Sequence, residues 1–260
     1  MKSLFKNSIL LIIATVFVKI ISLSVQVILG YVLEIENFGY YASALGAAGL
    51  FQWLKNGAIL QYAIKESVSG KYEFNCDNYV TYFNVVSSIF ILLLSIVYYG
   101  EDNYIWLILF MFSISQLVSL SGFKNRLVLI KKEMYKELSL YEISFGVLFS
   151  LGTLLGAYIF EDERCYFLGI LFATIYELYY YKSQKQGGLF SFSFNSLLYI
   201  WGKGRWLLLG ALGSVLVMKG GFIIIEHLSD YQTLGIYFFS FQLASSISIL
   251  LGESIRLVVM

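Results

Sequence analysis

The chain has 260 residues, of which 58% are hydrophobic and 13% are charged, and its mean hydropathy is +0.74. Soluble domains carry about 25% charged residues, so this composition excludes an ordinary water-soluble fold. The net charge is +1, and the chain has two cysteines and one histidine. A disulfide scaffold is therefore excluded, and we expect no metal, no cofactor and no nucleic-acid partner.

Eight apolar segments follow one another along the chain, and each is long enough or nearly long enough to cross a bilayer as a helix. Helices are required there, because lipid offers no partners for backbone N–H and C=O groups. The predicted spans are 8–33, 40–64, 79–99, 104–123, 138–160, 166–182, 206–228 and 234–258. The expected fold class is therefore all-α, a polytopic transmembrane helix bundle.

Basic residues alternate from one connection to the next. The N-terminus and every second connection hold 14 of the 18 Lys and Arg residues, whereas the opposite connections hold Arg164 and several acidic residues. The positive-inside bias predicts that the basic set, including the N-terminus, is cytoplasmic. Cys76 is then inside and Cys165 outside, so the two cannot pair, and a thiol reagent outside the cell should reach Cys165.

A sequence repeat relates the first two spans to the last two. Segments 33–43 and 229–240 each join two apolar runs, and their glycines, Gly39 and Gly235, are 196 positions apart (235 minus 39). In both segments a tyrosine follows the glycine by two residues. This repeat predicts a transporter built from two related helix bundles.

The repeat divides the chain into three parts. We expect a six-helix transmembrane lobe over 1–182 and a cytoplasmic interfacial linker over 183–205. The last part, 206–260, then supplies the first two helices of an incomplete second lobe. We expect either that this chain continues in a longer protein or that it associates with another chain.

Three lysines remain inside the predicted spans. Lys19 and Lys219 lie near mid-membrane, and Lys55 lies nearer the cytoplasmic end of the second span. A charged side chain there costs about 2.5–3.5 kcal/mol, so such residues mark functional sites. A water-filled cleft lined by these ammonium groups would attract an anion. The alternatives are that Lys55 reaches the cytoplasmic surface or pairs with Glu253.

Three glycines and three glutamates are the other residues of interest in the predicted spans. Gly57, Gly220 and Gly221 follow the lysines closely and permit either a bend or close helix packing. The carboxylates of Glu142, Glu177 and Glu226 fall near span ends, where we expect solvated or interfacial placement. We find no phosphate-binding loop, no catalytic carboxylate pair and no nucleophile motif, so we do not expect an enzyme.

Several short motifs occur in an order and spacing typical of one family. They are Phe5-Lys6-Asn7-Ser8, Glu36-Asn37-Phe38-Gly39-Tyr40-Tyr41, Leu54-Lys55-Asn56-Gly57-Ala58, Lys65-Glu66 and Leu234-Gly235-Ile236-Tyr237. With them, the chain resembles the Wzx-type polysaccharide and O-antigen flippases of the multidrug/oligosaccharidyl-lipid/polysaccharide exporter superfamily. The resemblance covers essentially the whole chain.

The resemblance implies a MATE-like, two-lobed transporter of twelve or more helices in a bacterial cytoplasmic membrane. Its substrate would be an undecaprenyl-diphosphate-linked oligosaccharide unit for O-antigen (lipopolysaccharide), capsule or exopolysaccharide synthesis. Lys19, Lys55 and Lys219 would meet the diphosphate or acidic sugars. Its partners would be membrane lipids and polysaccharide polymerase or assembly proteins.

Three alternatives remain open. A cation-coupled multidrug antiporter of the same superfamily predicts a buried Asp or Glu in the first or seventh span, where the sequence has none at depth. A membrane polysaccharide polymerase or ligase predicts a large external loop, whereas the external connections are short. A structural membrane subunit would follow if the deep lysines pair only within the bundle.

Overall fold

The computed structural model describes residues 2–56, 73–100, 103–131, 134–183 and 194–259. These residues form eight α-helices, which confirms the all-α prediction. In chain order the helices are α1 Lys2–Val32, α2 Ile35–Asn56, α3 Glu73–Val97, α4 Ile105–Lys131, α5 Tyr135–Phe160, α6 Cys165–Ser183, α7 Phe194–Leu228 and α8 Tyr231–Val259.

The helices extend beyond several of the predicted apolar spans. α7 begins at Phe194, so residues 194–205 of the predicted interfacial linker are helical and continuous with the seventh predicted span. The division into a lobe, a linker and an incomplete second lobe stays a prediction. Hydropathy falls at the basic residues Lys203 and Arg205, but helical backbone bonds do not require apolar side chains, and no proline interrupts the segment. Residues 57–64 of the second predicted span and residues 184–193 of the linker lie outside the described residues.

Two helical stretches of the described part, Leu10–Val32 and Tyr135–Phe160, are long and apolar enough to cross a membrane. Shorter apolar helices occupy Tyr82–Val97, Ile105–Ser119 and Cys165–Tyr180. The count of eight membrane spans stays a prediction from the sequence.

Helix α2 lies at the centre of the assembly. It packs against α3 and α4 on one side and against α7 and α8 on the other. Around it, α5 packs against both α1 and α6, and α4 against both α3 and α6. α7 and α8 contact α2 more extensively than they contact each other. The largest fully buried side chains include Phe38, Phe222 and Phe238. The main core therefore surrounds the first half of α2, where the α7–α8 hairpin joins the other helices.

The sequence repeat has a spatial counterpart where α2 and α8 cross. A Cβ atom on Gly39 would overlap the carbonyl oxygen of Tyr231, and a Cβ atom on Gly235 would overlap that of Ile35. Ile35 and Tyr231, which begin the two helices, are also 196 positions apart. The contacts are thus reciprocal, as a local two-fold axis requires. Glycine at both positions lets the two backbones approach this closely.

The short turns 33–34, 161–164 and 229–230 lie at the end of the molecule that the charge pattern predicts to be external, and we call it the outer end. A similar glycine contact joins α5 to α6 there. A Cβ atom on Gly156 would lie 2.6 Å from the Cys165 Cα atom, and one on Gly152 2.7 Å from the Leu168 carbonyl oxygen. These two glycines therefore permit close packing of the α5–α6 hairpin.

Candidate functional site

A cavity of about 330 Å³ lies between α1, α2, α5, α6, α7 and α8. Lys19 of α1 and Lys219 of α7 both line it, and both side chains are half-buried. The structure therefore brings together two of the three lysines singled out from the sequence. Lys55 belongs to α2, but its side chain lies outside the described residues, and so does Gly57.

The other polar groups of the cavity wall are neutral. They are Ser22, Gln26, Ser150, Thr153, Gln242 and Ser245, together with the two tyrosines Tyr41 and Tyr166. Among the described residues of the wall there is no aspartate or glutamate. Two ammonium groups that line one cavity repel each other. An anion that entered between them would relieve this repulsion, and its attraction to both would be stronger in the low dielectric of the bundle than in water.

Two aromatic rings form one side of the wall. The rings of Tyr41 and Tyr166 are stacked, with centroids 3.6 Å apart and planes at 6°. The Tyr166 hydroxyl is buried and has no hydrogen-bond partner among the described residues. A buried hydroxyl without a partner costs about 1–3 kcal/mol, so an incoming acceptor that reached it would stabilise this wall.

Helix α2 positions Lys219. A Cβ atom on Gly49 would lie 3.2 Å from the Lys219 Cγ atom, so the aliphatic stem rests on this glycine. About one helical turn away on α2, the Phe222 side chain packs against Gly46. A Cβ atom on this glycine would lie 3.0 Å from the Phe222 Cβ atom. The Lys219 ammonium nitrogen lies 5.2 Å from the centroid of the Phe222 ring, within the range of a cation–π contact.

The glycines that follow Lys219 have different surroundings. Both lie inside the uninterrupted helix α7. A Cβ atom on Gly221 would lie 2.6 Å from the Tyr237 hydroxyl, so this glycine permits close packing against α8. A Cβ atom on Gly220 would meet nothing within 4 Å. Close packing therefore accounts for Gly221 and not for Gly220.

Glu226, for which we expected solvated or interfacial placement, is half-buried near the outer end of α7 and accepts hydrogen bonds from two neighbouring side chains. Its Oε1 atom accepts a hydrogen bond from the Ser43 hydroxyl at 2.6 Å and another from the Tyr98 hydroxyl at 2.8 Å. The placement was predictable from helix periodicity, because positions 219, 222 and 226 lie on one face of a helix. Depth along the span alone does not indicate these partners, because they belong to other helices.

Glu177 of α6 also differs from its expected solvated placement. Its side chain is only 6% exposed, and its Oε1 atom accepts a hydrogen bond from the Tyr141 hydroxyl at 3.2 Å. The Tyr141 ring also packs against that of Tyr180, with the two ring centroids 4.8 Å apart. Glu177 turns toward α5 because that helix offers a hydroxyl donor. Glu142 of α5 is half-buried.

The acidic side chains of the outer turns differ in their burial and in their bonding partners. Glu163 is buried and accepts a hydrogen bond from the Tyr104 backbone N–H at 2.9 Å, and burial raises the pKa of this carboxyl. Arg164 forms an ion pair with Asp162 at 2.6 Å, and this contact raises the pKa of the guanidinium. The exposed Asp230 caps α8 through the Thr233 N–H, which lowers the pKa of its carboxyl.

Comparison with protein-family models, with curated proteins and with solved structures finds no match for this chain. The described residues also contain no group of three or more His, Cys, Asp or Glu side chains that would hold a metal ion. The family resemblance therefore rests on the sequence motifs, and the functional argument rests on the cavity.

Proposed function

We propose that this chain is part of a flippase that moves an anionic, lipid-linked oligosaccharide, of the undecaprenyl-diphosphate type, across a bacterial cytoplasmic membrane. The observation that carries the proposal is the pair Lys19 and Lys219 in one cavity whose described wall has no carboxylate. Two ammonium groups without a carboxylate in the described wall favour a ligand with at least two negative charges. A diphosphate supplies them within a few ångströms of each other.

The neutral part of the wall supports the same substrate. Hydroxyl and amide groups suit phosphate and sugar oxygens, because they offer both donors and acceptors. The volume of about 330 Å³ is at the lower limit of ligand pockets, which run from about 300 to 1,000 Å³. It therefore accommodates the charged diphosphate and an adjacent sugar ring, whereas the rest of a repeat unit and the lipid tail lie outside it.

The position of the cavity supports a transport role. Lys19 belongs to the first half of the sequence repeat and Lys219 to the second, so the cavity lies where the two halves meet. Transporters of repeated architecture place substrate sites at such an interface. Our proposal includes a MATE-like arrangement in which α1–α6 form one lobe and α7–α8 begin a second.

Replacement of both lysines tests the proposal. We expect Lys19→Met with Lys219→Met to reduce flipping of a fluorescent undecaprenyl-diphosphate sugar in proteoliposomes by about a hundredfold or more, because hydrogen bonds to charged groups contribute about 1.5–3 kcal/mol each. Lys136→Met, an exposed lysine in the first turn of α5, is the matched control and should leave the rate unchanged. Equal rates in the double variant, the control and the unmodified protein would refute the proposal.

A second candidate function, a cation-coupled multidrug antiporter, is favoured by the buried carboxylate of Glu177. Such exporters bind the coupling ion at a buried acidic group. Glu177 lies in α6, however, and not in the first or seventh span, where we expected the acidic residue of an antiporter. Proton-driven efflux of a cationic dye that is lost in Glu177→Gln and retained in the double lysine variant would favour this alternative.

A further inference from the structure

Three helices converge on one carboxylate near the outer end. Glu226 belongs to α7, Ser43 to α2, and Tyr98 follows the last residue of α3. Both hydroxyl donors bind the same carboxylate oxygen, at 2.6 and 2.8 Å. The contact therefore joins the α7–α8 hairpin to two helices of the α1–α6 group through a single side chain.

The contact and the cavity lysine share one interface. Along α7, Glu226 lies seven residues after Lys219, which is two helical turns or about 10 Å. The facing positions on α2 are Ser43 for Glu226 and Gly49 for Lys219. A movement of α7 away from α2 at the cavity would therefore also pull on the Glu226 hydrogen bonds.

The chemistry of the contact makes it easy to open. The partners that hold this carboxylate are two neutral hydroxyl groups. A carboxylate is better solvated by water than by two hydroxyls, and Glu226 and Tyr98 are only half-buried, so the contact loosens when water enters this interface. The α2–α8 crossing differs, because there backbone atoms meet backbone atoms at Gly39 and Gly235.

We propose that Glu226 is the latch of an outer gate. Its carboxylate holds α7 to α2 and to the end of α3, and it must be released before these helices separate at the outer end. The gate deepens the proposed function, on which it rests for its biological purpose. Its physical basis, a closed end that Glu226 keeps closed, is measurable without any substrate.

A cysteine reporter measures the opening directly. Ala42 is fully buried on α2, on the face that carries Gly39 and Gly46 toward the α7–α8 hairpin. We would introduce Ala42→Cys into the full chain with Cys76 and Cys165 replaced by alanine. In intact cells a membrane-impermeant maleimide then reports how often the outer end opens.

We expect Glu226→Ala to raise the labelling rate of this reporter by about tenfold, since it removes two hydrogen bonds to a charged acceptor. Tyr98→Phe, which removes one donor and little volume, should give a smaller rise. His227→Ala is the matched control, because His227 is the exposed neighbour of Glu226 and should leave the rate unchanged.

Labelling that is equally slow in Glu226→Ala, Tyr98→Phe and the control would overturn the latch. If Glu226→Ala fails to reach the membrane, Tyr98→Phe provides the test. Labelling of this variant that is as slow as in the control would then overturn the latch. The result is distinguishable from failure of the proposed function. Faster labelling without flipping of diphosphate-linked sugars would retain the latch and refute the substrate, whereas flipping with unchanged labelling would refute the latch alone.

Discussion

The two halves of the repeat have the same backbone ends and different surroundings. α1 and α7 end at Val32 and Leu228, and α2 and α8 begin at Ile35 and Tyr231, with a separation of 196 positions in each case. Yet α1 is covered by α5, whereas on α7 a Cβ atom at Gly210 or Gly213 would meet nothing within 4 Å. The repeat therefore specifies how the halves cross, and the helices around each half determine what is buried.

The charged residues are asymmetric as well. The repeat partner of Lys19 is Val215, and that of Lys219 is Leu23. Both lysines nevertheless line the same cavity. A shared backbone crossing can thus carry different side chains on its two halves, so a ligand would meet one lysine from each half at different heights along the helices.

The crossing should be the feature most sensitive to substitution. We expect Gly39→Ala or Gly235→Ala to lower the free energy of unfolding by about 3 kcal/mol or more, since the new methyl group overlaps a backbone carbonyl that cannot rotate away. The matched control Gly213→Ala should be neutral or stabilising by about 1 kcal/mol, because alanine is the better helix former and the site is open. Thermal unfolding in detergent measures both. Equal melting temperatures for the two substitutions would mean that the crossing does not hold the halves together.

The outer ends of the two halves should differ in access to reagents. Cys165 is the first residue of α6 and its side chain is fully buried, so the expectation that an external reagent reaches it is wrong for this structure. We expect Ser229→Cys, in the exposed turn before α8, to react with an impermeant maleimide at least about tenfold faster than Cys165. Comparable rates would contradict the packing of α6 against α5 at this end.

The acidic groups of the outer turns should differ in their response to a fall in pH. The pKa of Glu163 is raised, so its charged form destabilises the fold, and this cost disappears as the pH falls through that raised value. Between pH 7 and pH 4 we therefore expect the melting temperature of Glu163→Gln to lose its advantage over the unmodified protein, by about 2 °C or less.

Asp230 provides the comparison for this measurement. Its pKa is lowered, so its stabilising contribution is present above the ordinary value for aspartate and is lost only as the pH falls through the lowered one. Asp230→Asn should therefore show no such change over the same interval. A melting difference for Glu163→Gln that does not vary with pH would contradict the burial of that carboxyl.

Much of the fold was predictable from the sequence because local rules govern it. The all-α class follows from the apolar runs, and the helix ends near turns 33–34 and 229–230 follow from the repeat. The start of α7 was not predictable from hydropathy, because residues 194–205 are helical despite their basic side chains. The extended helix reflects backbone continuity, which a hydropathy window does not measure.

The site was predictable in part. Lys19 and Lys219 could be selected because each is a charged residue in an apolar run. This property can be recognised without knowing which residues are close in space. The Glu226 contact, the burial of Glu177 and the stacked pair Tyr41 and Tyr166 could not be selected in that way. Each depends on a partner from another helix.

By itself, the sequence determined the helical class, the repeat and the two lysines within apolar runs, since these depend on composition and on spacing along one chain. Only the tertiary structure decided that both lysines line one cavity, that its described wall has no carboxylate, and that Glu226 joins three helices near the outer end. The physical reason is that the rotation of each helix about its axis is set by packing against its neighbours. That rotation decides whether a given side chain faces a cavity, a partner helix or the surroundings.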